Sequence, residues 1–388
     1  IIPTMIYYGL QILNPTIFLA ACVIICAVIS VATGSSWTTS ATVGIALIGI
    51  AEALGISVGM TAGAILSGAY FGDKLSPLSD TTNLAPAMAG TDLFTHIRYM
   101  TLTTVPTITI TLIIFVIIGF NLDTTGTTDT SAILASIEKS FTISPWLFLV
   151  PAIVIALIVK KTSPLIALLL GTLLGAAAAL FFQPGIVAQI AGTTDLNFIS
   201  GYRGVMQAIT VDTAIETDNK NLNDLFSSGG MAGMLGTIWL IICAMVFGGI
   251  MEAIGALARI SKALLNLFHT TFGLFASTVF SCLALNATAS DQYLAIVVPG
   301  KMFAKAYRDK GLAPENLSRA LEDSGTVTSV LIPWNTCGAY HSGVLGVPTL
   351  SYAGYAFFNY LSPFMTLLFA AFGIKIKELS QSAKTQTA

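Results

Sequence analysis

The chain has 388 residues, of which 55% are hydrophobic and 9% are charged, whereas about 25% of residues in an ordinary soluble domain are charged. This composition excludes a soluble globular protein, because too few charged side chains are available to cover a surface in water. The formal net charge is −2 and the 17 basic residues form no single block, which excludes a nucleic-acid-binding surface. We therefore expect an all-α polytopic protein of the lipid bilayer.

Apolar runs recur along the chain, and a helix of about 20 residues is needed to cross a hydrocarbon core of ~30 Å. In chain order the runs lie at 18–31, 101–120, 146–159, 165–182, 234–254, 272–285 and 352–372. Several runs are too short to span a bilayer alone. This shortness favours re-entrant hairpins and interrupted helices.

The first half contains two polar interruptions. Residues 34–40 read Gly-Ser-Ser-Trp-Thr-Thr-Ser between two apolar arms, and they predict the tip of a re-entrant hairpin. Residues 76–86 begin and end near prolines and are rich in serine, threonine and asparagine. Because proline removes a helical hydrogen bond, this segment predicts a broken membrane helix.

The middle of the chain, 121–233, predicts connecting scaffold helices and a long loop outside the cell. Its connector at 123–138 and its loop at 184–230 carry more acidic than basic residues, whereas Lys160 and Lys161 follow an apolar run. Short basic loops remain in the cytoplasm. This charge asymmetry therefore predicts that the acidic segments lie outside the cell and that Lys160 and Lys161 lie inside.

The second half repeats the pattern of the first. Arg259 and Lys301 place both ends of the segment between them inside the cell, and its polar tip at 286–291 reads Asn-Ala-Thr-Ala-Ser-Asp. These features predict a second re-entrant hairpin. Residues 333–338 read Pro-Trp-Asn-Thr-Cys-Gly and predict a second broken helix.

The two halves share a register, since Gly34 and Asn83 are as far apart in sequence as Asn286 and Asn335. The basic residues give the two broken helices opposite orientations. Together these features predict an inverted-topology repeat, which is typical of secondary transporters with a binding site near the bilayer midplane. We assign the repeats to 1–120 and 234–388, with 121–233 between them.

The four interruptions should converge on one cavity, since irregular backbone at membrane depth is tolerated only inside protein or beside a polar cavity. Their carboxylate, hydroxyl and amide oxygens suit a hard cation. The candidate ion-binding residues are Asp80, Thr81, Thr82, Asn83, Asn286, Asp291, Asn335 and Thr336, with Asp73, Ser79, Thr288 and Ser290 as secondary candidates. No catalytic residue and no cofactor are expected.

A carboxylate at membrane depth is costly to ionise unless a cation lies beside it. Asp80 lies between two prolines, and we assign it the shared role of binding a cation or a proton. Asp73 is interpreted either as an ion-paired residue beside Lys74 or as a second carboxylate of the site. Glu322 and Asp323 follow a basic cluster at 301–310 and are expected on a solvated face.

Residues 72–86, Gly-Asp-Lys-Leu-Ser-Pro-Leu-Ser-Asp-Thr-Thr-Asn-Leu-Ala-Pro, resemble the signature of the NhaC-type sodium/proton antiporter family, in the ion-transporter superfamily of secondary carriers. Residues 286–293 and 332–338 resemble the second half of that family, so the resemblance covers nearly the whole chain. It implies Na⁺/H⁺ exchange by alternating access in a bacterial or archaeal cytoplasmic membrane, and it implies a homodimer. At the matching positions of this sequence, the resemblance implies that Asp80, Asn83, Asn286 and Asn335 are Na⁺ ligands.

Other functions stay open at this point. The same superfamily includes carriers of organic anions, so the alternative is a sodium-coupled organic acid carrier such as a malate/lactate antiporter. An intramembrane aspartyl protease would use two membrane aspartates, but the segment ending at Asp73 reads Tyr-Phe-Gly-Asp and lacks a Gly-x-Gly-Asp pattern. A channel could use polar hairpin tips as a filter, and high conduction in planar bilayers would identify it.

Overall fold

The computed structural model describes residues 1–12, 14–122, 130–160, 162, 164–215, 228–265 and 270–379. These residues form helices, and the β-structure within them consists of the isolated bridges Thr213–Ser228 and Leu312–Glu378. The expected all-α fold is therefore confirmed. Parts of the acidic connector at 123–138 and of the loop at 184–230 lie outside the described residues.

The first half is built from short and long helices separated by brief breaks. In chain order they are α1 (Ile2–Ile12), α2 (Pro15–Thr33), α3 (Ser36–Thr39) with a π-helical segment (Ser40–Gly44), α4 (Ile45–Ala53), α5 (Val58–Leu75), α6 (Asp80–Ala89) and α7 (Leu93–Asn121). The middle of the chain contains α8 (Thr130–Ser140), a 3₁₀ turn (Pro145–Phe148), α9 (Leu149–Val159), α10 (Pro164–Phe182), α11 (Pro184–Ile190) and α12 (Phe198–Thr210).

The second half begins with a long apolar helix. Its helices are α13 (Gly230–Ala253), α14 (Ala256–Leu265), α15 (Thr271–Thr288), α16 (Gln292–Asp309), α17 (Pro314–Leu321) with a π-helical segment (Glu322–Thr326) and a 3₁₀ turn (Ser329–Leu331), α18 (Thr336–Leu345), α19 (Thr349–Ala353) and α20 (Phe357–Ala371).

Within the described residues, four helices are long and apolar enough to cross a bilayer, namely α2, α7, α13 and α15. Two bent helix pairs raise this number to six if each pair is one span, and they are bent by 88° and 107°. Both pairs lie in the middle of the chain, at 134–157 and 166–190. By length and composition the chain is thus a multi-pass membrane protein.

Helices α2 and α5 are pressed together along their length. A Cβ added at Gly68 would lie 2.2 Å from the carbonyl oxygen of Val23, and one at Gly72 would lie 2.5 Å from that of Ala27. Glycine is required at both positions because the backbones approach too closely for a side chain. This contact fixes α2 against α5.

The polar interruptions become breaks between helices because polar residues cap the helix that follows. The side chains of Ser35 and Ser79 accept hydrogen bonds from the first turns of α3 and α6. Asp291 and Asn335 do the same for α16 and α18. Such caps satisfy amides that a helix start leaves unpaired. Ser35 and Ser79 are as far apart in sequence as Asp291 and Asn335, so the two capped breaks have the same separation in each half.

Candidate ion-binding site

Two asparagines join the tip of the second hairpin to the second break. Asn335 Nδ2 donates to the backbone oxygen of Asn286 at 3.1 Å and to its Oδ1 at 3.2 Å. Asn286 Nδ2 donates in turn to the carbonyl of Gly325 at 2.7 Å and to Thr328 Oγ1 at 3.1 Å. Both asparagines are fully buried. The structure therefore brings these two candidates into direct contact.

The remaining candidates of the second half surround this pair. The backbone N–H of Thr336 donates to the carbonyl of Ser290 at 2.9 Å, and Ser290 has a φ of 60°, which is unusual for a residue with a side chain. The Asp291 carboxylate accepts the backbone N–H of Tyr293 at 2.9 Å and that of Leu294 at 3.1 Å. Thr288 donates to the backbone of its own helix. Asp291 thus caps the start of α16 at the tip of the second hairpin.

Asp80 links the first break to the second hairpin. Its Oδ2 accepts a hydrogen bond from the Tyr293 hydroxyl, and its Oδ1 accepts the backbone N–H of Thr81 at 2.9 Å. The Asp80 side chain is exposed in the isolated chain. The backbone N–H of Tyr293 bonds to Asp291, so the two candidate aspartates bond to opposite ends of one tyrosine.

The other candidates of the first break point in different directions. Thr82 Oγ1 donates to the carbonyl oxygens of Asp73 and Lys74 at 3.0 and 3.2 Å. Asn83 is exposed, and its Nδ2 donates to the carbonyl oxygens of Pro77 and Ser79 at 3.0 and 2.6 Å. These bonds hold the break together. The hydrogen bonds that the structure describes for Asn83 stay within the first half and do not join it to Asn286 or Asn335.

The tip of the first hairpin contacts both halves. Ser36 donates its backbone N–H and its hydroxyl to Asp73 Oδ2, at 3.0 and 2.6 Å. The Trp37 ring stacks on the Tyr340 ring of α18 with centroids 4.0 Å apart, and the Tyr340 hydroxyl donates to the Trp37 carbonyl at 3.4 Å. The first tip therefore contacts α5 just before the first break and α18 just after the second break.

Lys74 and Asp323 form an ion pair, and both side chains are fully buried. Asp323 also accepts hydrogen bonds from the hydroxyls of Thr103, at 2.9 Å, and Thr366. The expectation of a solvated face at Glu322 and Asp323 is therefore wrong, because other helices enclose both residues. The pairing of Asp73 with Lys74 is also wrong, since Lys74 pairs with Asp323 and Asp73 binds Ser36.

Glu322 is the second buried acid that the sequence analysis did not recognise as part of the site. It is 0% exposed and its Oε1 accepts a hydrogen bond from Thr81 Oγ1 at 3.1 Å, while its Oε2 has no hydrogen-bond partner among the described residues. It interacts electrostatically with Asp73 and Lys74. A candidate of the first break thus touches a buried carboxyl group of the second half.

The donor set consists of oxygen atoms from carboxylates, hydroxyls and amides. In the part of the chain that the structure describes, no group of three or more His, Cys, Asp and Glu residues is placed to hold a metal ion. A closed cage for a transition metal is therefore not indicated. Oxygen donors at helix breaks suit an alkali cation that must enter and leave.

The sequence matches a family model and several curated proteins. The model described as "Na+/H+ antiporter family" matches residues 68–374. The Na⁺/H⁺ antiporter NhaC of Alkalihalophilus pseudofirmus is 39% identical over 384 residues, which cover 99% of this chain and 80% of that protein. The Na⁺/H⁺ antiporter NhaC of Bacillus subtilis is 35% identical over 369 residues, or 95% of this chain and 78% of that protein.

A relative named for a different exchange reaction has a comparable identity. The malate-2H⁺/Na⁺-lactate antiporter of Bacillus subtilis is 37% identical over 381 residues, which cover 97% of this chain and 76% of that protein. Identity alone therefore does not separate the two kinds of antiporter. Each of these proteins carries an antiporter name, and the resemblance noted from the sequence is confirmed.

Proposed function

Because the chain belongs to the Na⁺/H⁺ antiporter family, we propose that it exchanges Na⁺ for H⁺ across a membrane by alternating access. The observation that supports this most strongly is that Asp80 and Asp291 both bond to Tyr293, Asp80 to its hydroxyl and Asp291 to its backbone N–H. Two carboxylates from opposite halves share a partner where two helices begin. A cation bound at Asp80 would therefore lie at the contact between the two halves.

The proposed Na⁺ site takes its oxygens from this junction. Asp80 and Thr81 contribute from the first break, and Asn286, Asp291, Asn335 and Thr336 contribute from the second hairpin and break. Asn83 and Thr82 act by holding the first break in shape, because their side chains bond to its backbone. Na⁺ is the cargo and no cofactor is involved.

We propose that the two halves are inverted repeats, each with a re-entrant hairpin and a broken helix. The support is the matching order of capped breaks, Ser35 and Ser79 in one half and Asp291 and Asn335 in the other. The bounds 1–120, 121–233 and 234–388 follow this division. A place in the bacterial or archaeal cytoplasmic membrane and a homodimer are the remaining proposals drawn from the family resemblance.

The test is transport by the purified protein in sealed liposomes that contain a pH-sensitive dye. Addition of external Na⁺ should drive protons out of liposomes loaded at low pH, and K⁺ should not. The same assay with lactate outside and malate inside tests the second candidate, because the name of the Bacillus subtilis relative pairs Na⁺ with lactate and H⁺ with malate. Proton movement only in the presence of both acids would exclude simple Na⁺/H⁺ exchange.

A further inference from the structure

We propose that the Tyr293 hydroxyl is a positioning group that competes with Na⁺ for the Asp80 carboxylate and restrains the carrier when Na⁺ is not bound. This inference rests on the proposed Na⁺/H⁺ exchange and adds a regulating residue to its ion site. Among the described residues, the Tyr293–Asp80 contact is the hydrogen bond that joins the first break to the second hairpin, formed by α15 and α16. Displacement of the hydroxyl by Na⁺ therefore also releases one half from the other.

The Asp80 carboxylate is held by one hydrogen-bond donor on each oxygen. The backbone N–H of Thr81 donates to Oδ1 at 2.9 Å, and the Tyr293 hydroxyl donates to Oδ2. A hydrogen bond to a carboxylate is roughly twice as strong as one between neutral groups. The Tyr293 hydroxyl therefore contributes substantially to the stabilisation of the Asp80 charge.

The fully buried basic side chains do not take over this role. Lys74 pairs with Asp323, and the Arg319 guanidinium lies over the Tyr99 ring, with its Cζ 4.5 Å from the ring centroid. Within the part of the chain that the structure describes, Asp80 forms no ion pair. Its positive partner must therefore come from the transported ions.

Of the two donors on Asp80, the hydroxyl is the one that a cation can displace. The N–H of Thr81 belongs to the first turn of α6, so its removal would unwind the helix. The Tyr293 hydroxyl stands at the end of a side chain that is 40% exposed, and it can turn to water and keep a hydrogen bond there. Na⁺ and a donated proton seek the same oxygen lone pairs, so Na⁺ binding favours this rotation.

The position of the Tyr293 ring does not depend on its hydroxyl. Helices α6 and α16 pack side by side beyond the contact, where Ala85 and Ile296 belong to one buried apolar cluster. A Cβ added at Gly300 would lie 2.7 Å from the Cβ of Met88, so the two helices approach closely. Removal of the hydroxyl alone should therefore leave this packing intact.

Release of the hydroxyl leaves the second tip attached to its own break. The indole N–H of Trp334 donates to the Ala287 carbonyl at 2.8 Å, and the N–H of Thr336 donates to the Ser290 carbonyl at 2.9 Å. The second tip and the second break can therefore separate from the first break as one unit. An exchanger must prevent reorientation of the empty carrier, and a bond that forms only without Na⁺ favours the resting arrangement in that state.

The first test is equilibrium binding of radioactive Na⁺ to the purified protein at one fixed pH. Tyr293→Phe should raise Na⁺ affinity roughly tenfold, because Na⁺ no longer has to break a hydrogen bond to a charged group. The matched control is Tyr360→Phe, which removes a hydroxyl from α20, where the ring packs on Phe357. It should bind Na⁺ with wild-type affinity.

The second test measures protons moved per Na⁺ in liposomes. Tyr293→Phe should move fewer protons per Na⁺ than the wild type, because its empty carrier can return without a proton. Tyr360→Phe should keep the wild-type ratio. A wild-type ratio in Tyr293→Phe would overturn the restraint on the empty carrier.

Unchanged Na⁺ affinity in Tyr293→Phe would overturn the competition, and reduced affinity would overturn it by making the hydroxyl a Na⁺ ligand. If the variant does not fold, a fluorinated tyrosine at position 293 decides. Its fluorine NMR signal should shift with Na⁺ and not with K⁺, and a signal that ignores Na⁺ would overturn the inference. Absence of Na⁺-driven proton movement in the wild type would instead refute the proposed function, and the binding measurement would still decide the competition.

Discussion

The ammonium of Lys74 and the carboxylate of Asp323 lie 249 positions apart in sequence and form an ion pair inside the protein. The pair joins α5 of the first half to the π-helical segment that follows α17. It is surrounded by the hydroxyls of Thr103 and Thr366, which stabilise the carboxylate. This cross-link between the halves lies beside the first break, since Thr82 bonds to the Lys74 carbonyl.

Removal of one partner of this pair should destabilise the protein strongly, since the other charge would be buried alone. Lys74→Met and Asp323→Asn should each lower the free energy of unfolding by about 3–5 kcal/mol. The double variant Lys74→Met with Asp323→Leu should regain most of that loss, because no charge remains. Thermal unfolding in detergent measures these differences. Equal stability of the wild type and both single variants would show that the pair is not formed.

Asp80→Asn should abolish Na⁺-driven proton release, because the amide keeps the shape of the side chain but cannot neutralise Na⁺. The control is Asp92→Asn at the start of α7. Hydrogen bonds from Thr95 hold the pKa of Asp92 below its ordinary value, so Asp92 stays ionised near neutral pH and exchanges no proton there. Its replacement should leave transport unchanged. Normal exchange by Asp80→Asn in the liposome assay would remove Asp80 from the Na⁺ site.

Asn286 and Asn335 should behave as one unit in Na⁺ binding, because their side chains bond to each other. Asn286→Ala and Asn335→Ala should each weaken apparent Na⁺ affinity, and the double variant should lose little more than either single variant. Asn83→Ala is the comparison in the first break, where the hydrogen bonds described for the side chain go to its own break. Additive losses for Asn286 and Asn335 would contradict a shared role.

The orientation of the chain can be tested by labelling single cysteines in intact cells. Exposed Asp195 should react with an impermeant reagent from outside when replaced by cysteine, and exposed Asp309 should react only after permeabilisation. The background should carry Cys243→Ala, since Cys243 is exposed whereas the other four cysteines are buried. Labelling of both sites from the same side would refute the topology in which residues 184–230 lie outside the cell and residues 301–310 lie inside.

The helices were predictable from sequence because membrane helices need long apolar runs. Every apolar run identified in the sequence coincides with a helix or a pair of helices. The breaks were predictable because proline and glycine interrupt helices while serine, aspartate and asparagine cap the next one. These are local effects, and they are therefore visible in a short stretch of sequence.

The buried acids were not predictable by the same means. Glu322 and Asp323 follow a basic cluster and a short polar helix that contains Asn316, Ser318 and Arg319, and such a segment reads as water-facing. Its burial depends on helices distant in sequence, including the one that supplies Lys74. One signal was available: adjacent charged residues stand shortly before a proline-containing break in both halves, as Asp73-Lys74 and as Glu322-Asp323.

The close packing of α2 on α5 has a mechanical consequence for transport. With no side chain at Gly68 and Gly72 to act as a spacer, the two backbones interlock and have no room to slide or rotate past each other. Any bending in this part of the chain is therefore expected beyond the ends of α5, at residues 54–57 and 76–79. We therefore expect α2 and α5 to move as one rigid unit, and Asp80 lies just beyond the end of that unit.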